Sequence, residues 1–257
     1  MRRLGIDIGS TTTKVVLIED RDIKFQKLMT SMAFYRDHCN KGEEGIIFTP
    51  SSLGLNNIDQ IVSTGYGRNN IRLANAEPIN ELKAHCYGAI YSTGLKNFTL
   101  LDVGGQDTKV IRVERGIMVD LELNDKCAAS SGRFIENMAR VLEVDLGWLT
   151  EQVENPTTLN ATCAVFGESE LISKIAEGVE IGELAAGVNY SLYKRIEPIL
   201  KRFPRDILIF TGGVAYNRAV RTYLEELDYD DIIIPANHQL NGAIGCCYYG
   251  QQFLNSR

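Results

Sequence analysis

Short runs of apolar and β-branched residues alternate along the chain with stretches of helical periodicity, which is the pattern of a mixed α/β protein. In the first part of the chain this pattern predicts strands at Leu4–Ile8, Lys14–Glu19, Ile23–Met29 and Gln60–Thr64, and a helix from Pro78 to about Ser92. In the second part it predicts strands at Phe98–Asp102, Thr108–Glu114, Ile117–Leu123, Ile207–Phe210 and Ile232–Ile234, and helices at Ser131–Leu142, Ala164–Gly178, Ile181–Phe203, Arg218–Leu227 and Gly242–Leu254. Pro198 is expected to kink or divide the helix in which it lies.

The two parts also repeat each other residue by residue. The segments Asp7–Glu19 and Asp102–Glu114 align without a gap, and each reads as an apolar strand ending in Asp, a turn of small residues and a β-branched strand. The backbone N–H groups and hydroxyls of such a turn can bind an anion, and the Asp can hold a metal-bound water. Two such hairpins facing each other would bind the β- and γ-phosphates and Mg²⁺ of a nucleotide. The alternative is two ordinary hairpins with glycine turns.

Length and charge narrow the class of protein. A chain of 257 residues with this repeat is expected to form two lobes, residues 1–95 with a closing helix at 242–257 returning to them, and residues 96–241. The 27 Lys and Arg residues against 33 Asp and Glu residues give a net charge of −6, which indicates neither a nucleic-acid surface nor a lipid surface. No apolar stretch approaches the roughly 18 residues of a membrane span. Because the sequence runs from Arg2-Arg3 directly into the first predicted strand, no signal peptide is expected. A cytoplasmic protein with six reduced cysteines is expected.

A Gly-Gly turn near the C-terminal end of the chain adds to the two hairpins and makes a known fold recognisable. Thr211–Val214, with Asn217 opening the next helix, and the two hairpins together resemble the acetate kinase, sugar kinase, Hsp70 and actin superfamily. The resemblance implies an α/β fold of duplicated ribonuclease H-like lobes around a nucleotide cleft. It also implies that the backbone at Gly212 and Gly213 approaches the adenosine, because glycine has no Cβ to block a flat ligand.

Two cysteines stand out by their positions. Cys127 and Cys163 each precede a predicted helix among small residues, with Asp125 and Thr162 as candidate caps. A helix N-terminus stabilises a thiolate, and thiolates ligate iron–sulfur clusters. Since one chain supplies half of the usual four ligands, a two-fold dimer would bring the full set together on its axis. The alternative is a pair of buried, inert thiols.

The remaining candidates have simpler interpretations. The side chains expected to pack or to lie in loops, without binding a metal, are Cys39, Cys86, Cys246 and Cys247. The histidines at 38, 85 and 238 have no spacing that indicates a site, and solvation or local hydrogen bonding is expected for them. Trp148 is expected to pack in the core or between the lobes, and Glu81 to border the cleft, where it is a candidate for orienting water.

The cysteine segments make a second resemblance more specific. Together with Thr64–Arg68, Asp102–Asp107, Thr211–Asn217 and Asn241–Gly245, they resemble the ATP-dependent activator (reductase) components of 2-hydroxyacyl-CoA dehydratases and the related proteins of benzoyl-CoA reductase and double-cubane-cluster systems. The resemblance implies a homodimer with one bridging [4Fe-4S] cluster, ligated by Cys127 and Cys163. The chain departs from the family pattern at Ser130-Ser131, where Gly-Thr is common, and at Ala164–Glu168, where Thr-Val-Phe-Ala-Glu is common. The replacing residues at these positions are small, as in the family pattern. The departures leave undetermined which partner enzyme the protein serves.

The resemblance also implies roles around ATP or ADP and Mg²⁺. Asp7 and Asp102 would hold water on the metal ion, and Gln106 would belong to the catalytic set. The implied phosphate-turn residues are Gly9, Ser10, Thr11, Thr12, Thr13, Lys14, Gly104 and Gly105. The implied adenosine residues are Gly212, Gly213 and Asn217, with Asn241 and Gly242 nearby.

The implied function is that of an ATP-hydrolysing iron–sulfur reductase of anaerobic metabolism. It would pass a low-potential electron from a donor such as ferredoxin or flavodoxin to a partner iron–sulfur dehydratase or reductase. Hydrolysis would change the angle between the lobes and move the helices that carry the cysteines. Two alternatives stay open: a small-molecule kinase of the same fold, which needs a base for a substrate hydroxyl and no iron, and a non-enzymatic nucleotide switch that binds a protein client.

Overall fold

The computed structural model describes residues 1–43, 45–65, 73–124, 128–160 and 164–254. The chain divides into two compact units. Unit 1 comprises Met1–Lys96, Arg115–Met118 and Gln239–Arg257, and unit 2 comprises Asn97–Glu114 and Val119–His238. Within the described residues, no helix is both long enough and apolar enough to cross a membrane.

Strands and helices follow one another in mixed order. The strands are β1 (Arg2–Ile8), β2 (Thr12–Glu19), β3 (Asp22–Thr30), β4 (Cys39–Gly42), β5 (Gly45–Phe48), β6 (Gln60–Gly65), β7 (Glu77–Pro78), β8 (Phe98–Val103), β9 (Thr108–Glu114), β10 (Ile117–Asn124), β11 (Ile207–Thr211) and β12 (Asp231–Ile233). The α-helices are α1 (Ser31–His38), α2 (Glu81–Thr93), α3 (Gly132–Val141), α4 (Leu146–Glu151), α5 (Ala164–Ala176), α6 (Ile181–Leu200), α7 (Arg218–Leu224) and α8 (Asn241–Tyr249).

The sheets of the two units have the same topology. The strand order is β3-β2-β1-β6-β7 in unit 1 and β10-β9-β8-β11-β12 in unit 2. In each unit the first strand pairs antiparallel with the second and parallel with the strand on its other side, so β1 lies between β2 and β6, and β8 lies between β9 and β11. The repeat seen in the sequence is therefore a repeat of the whole sheet.

The sheet of unit 1 is covered on both faces. Leu4, Ile6 and Val15 pack on one face with Phe34 and Phe48, which come from α1 and β5. A second group of buried residues, including Val16 and Ile244, joins β2 to α8. Helix α8 therefore belongs to unit 1, although it lies at the other end of the chain.

In unit 2 the sheet packs against several helices. Leu101, Val103 and Phe210 from β8 and β11 lie in one large core with side chains such as Phe134 of α3 and Leu192 of α6. Burying aliphatic and aromatic side chains of this size is the main stabilising contribution to such a layer.

The structure confirms the predicted strands and helices to within a few residues and corrects several local expectations. Pro198 does not divide α6, because it lies in the last turn, where the missing N–H removes only one hydrogen bond near the helix end. Trp148 was expected to pack, but it lies in the short helix α4 and is 42% exposed. The sequence pattern predicts neither α1 and α4 nor the β4–β5 hairpin, because these elements are too short to show a clear period.

Candidate functional site

The first turn connects β1 and β2 across residues 9–12. It is closed by the Gly9 N–H, which donates to the carbonyl oxygen of Thr12 at 3.0 Å. Asp7, at the end of β1, is buried, and Lys14 Nζ of β2 lies 3.5 Å from its Oδ2. Ser10 and Thr11 are exposed at the tip. The turn therefore presents hydroxyl groups above a largely buried ion pair.

Ser31, the first residue of α1, fixes this turn from one side. Its N–H donates to the carbonyl oxygen of Thr11 at 3.0 Å, and its hydroxyl donates to the carbonyl oxygen of Gly9 at 2.6 Å. The hydroxyls of Ser31 and Thr13 lie 3.0 Å apart. Thr13, an implied phosphate-turn residue, is fully buried, so its hydroxyl supports the turn from below. The sequence gives no signal for this role of Ser31, because no motif connects it to the turn.

The second turn, residues 104–107 between β8 and β9, has the same closing bond. The Gly104 N–H donates to the carbonyl oxygen of Asp107 at 2.9 Å. Lys109 Nζ lies 3.7 Å from Asp102 Oδ2 and 2.7 Å from Asp107 Oδ2. The hydroxyl of Thr211 donates to Asp102 Oδ1 at 2.7 Å. Both copies of the repeat thus place a lysine beside the buried aspartate, and Gln106 occupies the third position of the second turn.

The second turn is attached to the beginning of α3. The N–H groups of Gly132 and Arg133 donate to the carbonyl oxygens of Gly104 and Gly105 at 2.9 and 3.1 Å. The Ser131 hydroxyl also donates to the Gly105 carbonyl oxygen, at 3.0 Å. A displacement of this turn would therefore act directly on the first residues of α3.

The Gly-Gly turn of unit 2 requires glycine at its first position. Gly212 has a φ of +89°, and a Cβ there would lie 2.2 Å from the carbonyl oxygen of Val103. The buried His238 donates from Nδ1 to the Gly212 carbonyl oxygen at 2.9 Å, which leaves Nε2 without the proton in the neutral ring. Burial lowers the pKa of His238, so the ring stays neutral at physiological pH. The ring of Tyr216, 61% exposed, lies edge-on to His238 with centroids 4.2 Å apart. Neither residue was predicted for the site.

Asn217 uses its side chain inside unit 2. Its Oδ1 accepts from the Val220 N–H at 2.9 Å and caps α7, while its Nδ2 donates to Asn189 Oδ1 at 2.8 Å. The prediction that Asn217 opens a helix is confirmed. With both ends of the amide engaged and the residue buried, the side chain acts chiefly in fixing the start of α7.

Asn241 and Gly242 lie with the first turn in unit 1, whereas Gly212 and Gly213 lie in unit 2. Asn241 Nδ2 donates to the carbonyl oxygen of His85 at 2.9 Å, which joins α8 to α2. A Cβ on Gly242 would lie 2.9 Å from Asp7 Oδ2. The structure therefore groups these two residues with the carboxylate of Asp7.

The candidate cluster ligands Cys127 and Cys163, and their candidate caps Asp125 and Thr162, lie outside the described residues. The neighbouring backbone is described: α5 begins at Ala164, and a one-turn 3₁₀ helix at Ala128–Ser130 precedes α3. Among the described parts of the chain, no group of three or more His, Cys, Asp or Glu residues could hold a metal ion.

The described cysteines differ from metal ligands in their protonation. Burial raises the pKa of the Cys39 thiol to about 11 and the pKa values of the Cys86 and Cys247 thiols to about 12. The pKa of Cys246, fully enclosed in α8, is also raised well above its ordinary value by burial. These thiols are neutral at physiological pH, whereas iron–sulfur clusters bind thiolates.

Comparison with solved structures defines the class of fold. The ROK family glucokinase from Streptomyces griseus, in complex with glucose and AMPPNP, matches with a TM-score of 0.59 at 11% identity, over 98% of this chain and 100% of that chain. At this identity the match shows the fold alone. It confirms the predicted duplicated α/β fold of the sugar kinase, Hsp70 and actin class.

More similar proteins define the family. The activator of the 2-hydroxyisocaproyl-CoA dehydratase from Clostridium difficile, solved with bound ADPNP, matches with a TM-score of 0.82 at 33% identity, over 97% of this chain and 94% of that chain. The (R)-2-hydroxyglutaryl-CoA dehydratase activating ATPase of Acidaminococcus fermentans is 34% identical over 262 residues, covering 96% of this chain and 95% of that protein. Residues 4–250 match the profile of the BadF/BadG/BcrA/BcrD ATPase family, and the chain belongs to this family.

Proposed function

We propose that this protein is an ATP-hydrolysing iron–sulfur reductase that activates a partner enzyme. The partner would be an iron–sulfur protein of the 2-hydroxyacyl-CoA dehydratase, benzoyl-CoA reductase or double-cubane type. The observation that carries the proposal is the similarity to activators over 94% or more of each chain. A shared fold alone would not indicate a shared activity, as the glucokinase illustrates. Here the family match runs over residues 4–250, a range that contains both turns and both cysteine segments.

The two turns supply the groups for phosphate and Mg²⁺ in this proposal. The hydroxyls of Ser10, Thr11 and Thr12 and the backbone of the first turn would contact phosphate, since such groups form anion sites. Asp7 and Asp102 would hold water on Mg²⁺, which keeps several waters and is commonly bound through one or two carboxylates. Both are buried at equivalent strand ends, beside lysines that would turn towards phosphate.

The backbone of the second turn, with Gly104, Gly105 and Gln106, would complete the phosphate contacts, and Gly212 and Gly213 would lie against the adenosine. Thr13 supports the first turn through Ser31, and Asn217 fixes α7 behind the Gly-Gly turn. These residues place the contacting groups without touching the ligand through their own side chains.

Cys127 and Cys163 would ligate the cluster, two from each subunit of a homodimer. The chemistry of the donor set fits, because thiolates ligate iron–sulfur clusters and Cys163 directly precedes α5, where the helix dipole favours a thiolate. When bound, a [4Fe-4S] cluster supplies one-electron redox chemistry. One electron would leave a low-potential donor such as ferredoxin or flavodoxin and arrive at the partner, while ATP and water give ADP and phosphate.

The attachment of the second turn to α3 suggests how nucleotide state reaches the cysteines. Ser131, Gly132 and Arg133 bind the carbonyl oxygens of Gly104 and Gly105. A turn that moves with hydrolysis would move the start of α3, and with it the segment that follows Cys127. Nucleotide can bias this motion only by binding its two positions with different affinity.

The direct test is the iron and acid-labile sulfide content of the dimer after anaerobic purification. We expect about four irons per dimer in the wild type and loss of iron in both Cys127→Ala and Cys163→Ala. Cys39→Ala is the matched control, since the partly buried Cys39 is expected to leave the iron content unchanged. Iron-free wild-type protein that still hydrolyses ATP would contradict the reductase and favour a small-molecule kinase or a nucleotide switch.

A further inference from the structure

Asp7 and Asp102 occupy equivalent positions in the two units, but different groups approach their carboxylates. Asp102 pairs with Thr211 on the neighbouring strand, and the Thr211 hydroxyl donates to Asp102 Oδ1 at 2.7 Å. Asp7 pairs with Thr64 in the same register. The Thr64 hydroxyl, however, donates to the carbonyl oxygen of Ile79 at 2.9 Å. The donor that Asp102 receives from its neighbouring threonine is therefore directed elsewhere in unit 1.

His85, from helix α2, has a ring nitrogen close to the space beside the Asp7 carboxylate. A Cβ added to Gly242 would lie 2.9 Å from Asp7 Oδ2 and 3.3 Å from His85 Nε2. The carboxylate oxygen and the imidazole nitrogen thus border one small space, which stays open because residue 242 has no side chain. His85 itself is buried, so its ring is held in place by the packing of α2 against α8.

The hydrogen bonds of Asn241 determine which nitrogen of His85 carries the proton. Asn241 Nδ2 donates to the His85 carbonyl oxygen at 2.9 Å, which fixes the orientation of the amide. The same Nδ2 lies 3.4 Å from His85 Nδ1. Because an amide nitrogen only donates, Nδ1 of the neutral ring accepts and the proton is on Nε2. The His85 nitrogen that borders the same space as Asp7 Oδ2 is therefore a donor.

We infer that His85 is a positioning residue for Asp7, whose carboxylate it orients through its Nε2–H, directly or through one water molecule. This inference rests on the proposed role of Asp7 in holding water on nucleotide-bound Mg²⁺. Lys14 Nζ lies 3.5 Å from the same Oδ2, and Lys14 is a proposed phosphate contact. When Lys14 turns to phosphate, His85 supplies a donor that remains. A neutral donor also adds no positive charge beside the metal ion.

Two substitutions of similar size separate this role from packing. In His85→Gln the side-chain amide nitrogen can reach the position of Nε2, whereas in His85→Asn the shorter amide reaches only that of Nδ1. With full-length, anaerobically purified protein and saturating MgATP, we expect kcat for ATP hydrolysis to fall about ten- to a hundredfold in H85N and to stay within about threefold in H85Q. The Mg²⁺ concentration for half-maximal rate should rise in H85N alone. The control is H38N, because His38 is partly exposed and bonds to Ser52.

Equal losses in H85Q and H85N would show that His85 only packs, and unchanged rates in both would show that it has no role; either result overturns the inference. Gly242→Ala is a second variant that leaves His85 in place: its Cβ would intrude between Oδ2 and Nε2, and the same fall in kcat is expected. Wild-type protein without iron would end the reductase proposal and leave this test intact. If the wild type did not hydrolyse ATP, the Mg²⁺ dependence of ADP binding would test the role of His85 instead. We expect this dependence to be lost in H85N and kept in H85Q.

Discussion

The two turns of the repeat have the same chemistry but different supports. In each, a glycine N–H closes the loop onto the residue three positions on, and a lysine lies beside the buried aspartate. The first turn is held by Ser31 at the start of the short helix α1. The second is held by Ser131 and the first N–H groups of α3. The two copies therefore share the closing bond and the Asp–Lys pair and differ in the residues that support the turn.

Under the proposed function, this difference gives the two turns different tasks. A turn held by Ser31 at the start of the short helix α1 is suited to binding. The second turn is attached to α3, which follows the Cys127 segment. It is therefore suited to transmitting a ligand-dependent displacement to that helix. Variants made in pairs, one in each copy, can therefore test whether the two copies are equivalent.

The largest difference is expected at the lysines. Lys109 has a side chain 4% exposed and lies beside two carboxylates, whereas the side chain of Lys14 is 16% exposed and lies beside one. Removing one partner of a buried ion pair costs about 3–5 kcal/mol. We expect Lys109→Met to lose about that much free energy of unfolding, and Lys14→Met about 2 kcal/mol or less. Urea denaturation of both variants measures the difference, and equal losses would contradict the asymmetry.

The next largest loss of stability is expected at two glycines, one at the end of β6 and one directly after β11. Gly212 and its counterpart Gly65 both have positive φ, and a Cβ would lie 2.2 Å from Val103 O in one case and 2.3 Å from Ile8 O in the other. We expect G212A and G65A each to lower the free energy of unfolding by about 2–4 kcal/mol.

The control for these glycines is Gly178, which has a φ of +87° but nothing within 4 Å of an added Cβ. G178A should therefore lower the free energy of unfolding only by the cost of holding alanine at a positive φ, about 1 kcal/mol. If G178A were as unstable as G212A, the close approach of Val103 would not be the cause.

Much of the fold could be predicted because the repeat consists of short patterns of neighbouring residues. The strand ending in Asp7 and the strand ending in Asp102 are apolar runs followed by small residues, and both form the predicted hairpins. Helix α1 could not be predicted in this way. Its buried residues are Ser31 and Phe34 alone, too few to produce a period.

The candidate site was predictable only where its groups are neighbours in sequence. Ser31 and His85 reach the first turn from other elements, and only the packing of α1, α2 and α8 shows their proximity to it. Asparagine is ambiguous for another reason. Asn217 and Asn241 are suited both to ligand contacts and to internal hydrogen bonds, and the structure shows the internal bonds.

The serines behind the turns test the assigned tasks most directly. Ser31→Ala removes the bonds to Gly9 and Thr13, and Ser131→Ala removes the bond to Gly105. We expect each to cost about 1–2 kcal/mol of stability. Because the second turn is bonded to the start of α3, we expect ATP to change the rate at which a chelator removes iron from the reduced wild-type protein. We expect S131A, but not S31A, to weaken this change. The same nucleotide effect in both variants would contradict a special role for the second turn.

The smallest effect is expected at the histidine of unit 2. Burial lowers the pKa of His238 from its ordinary value of 6.5, so below pH 6.5 the unfolded chain binds a proton that the folded chain does not. Stability should therefore fall as the pH drops through 6.5 and should be fully present above it. Replacing His238 with Asn, whose side-chain amide nitrogen reaches the position of Nδ1 and keeps a donor near Gly212, should flatten this part of the profile. Denaturation at pH 5.5 and 7.5 measures the change, and an unaltered pH dependence in H238N would mean that another group is responsible.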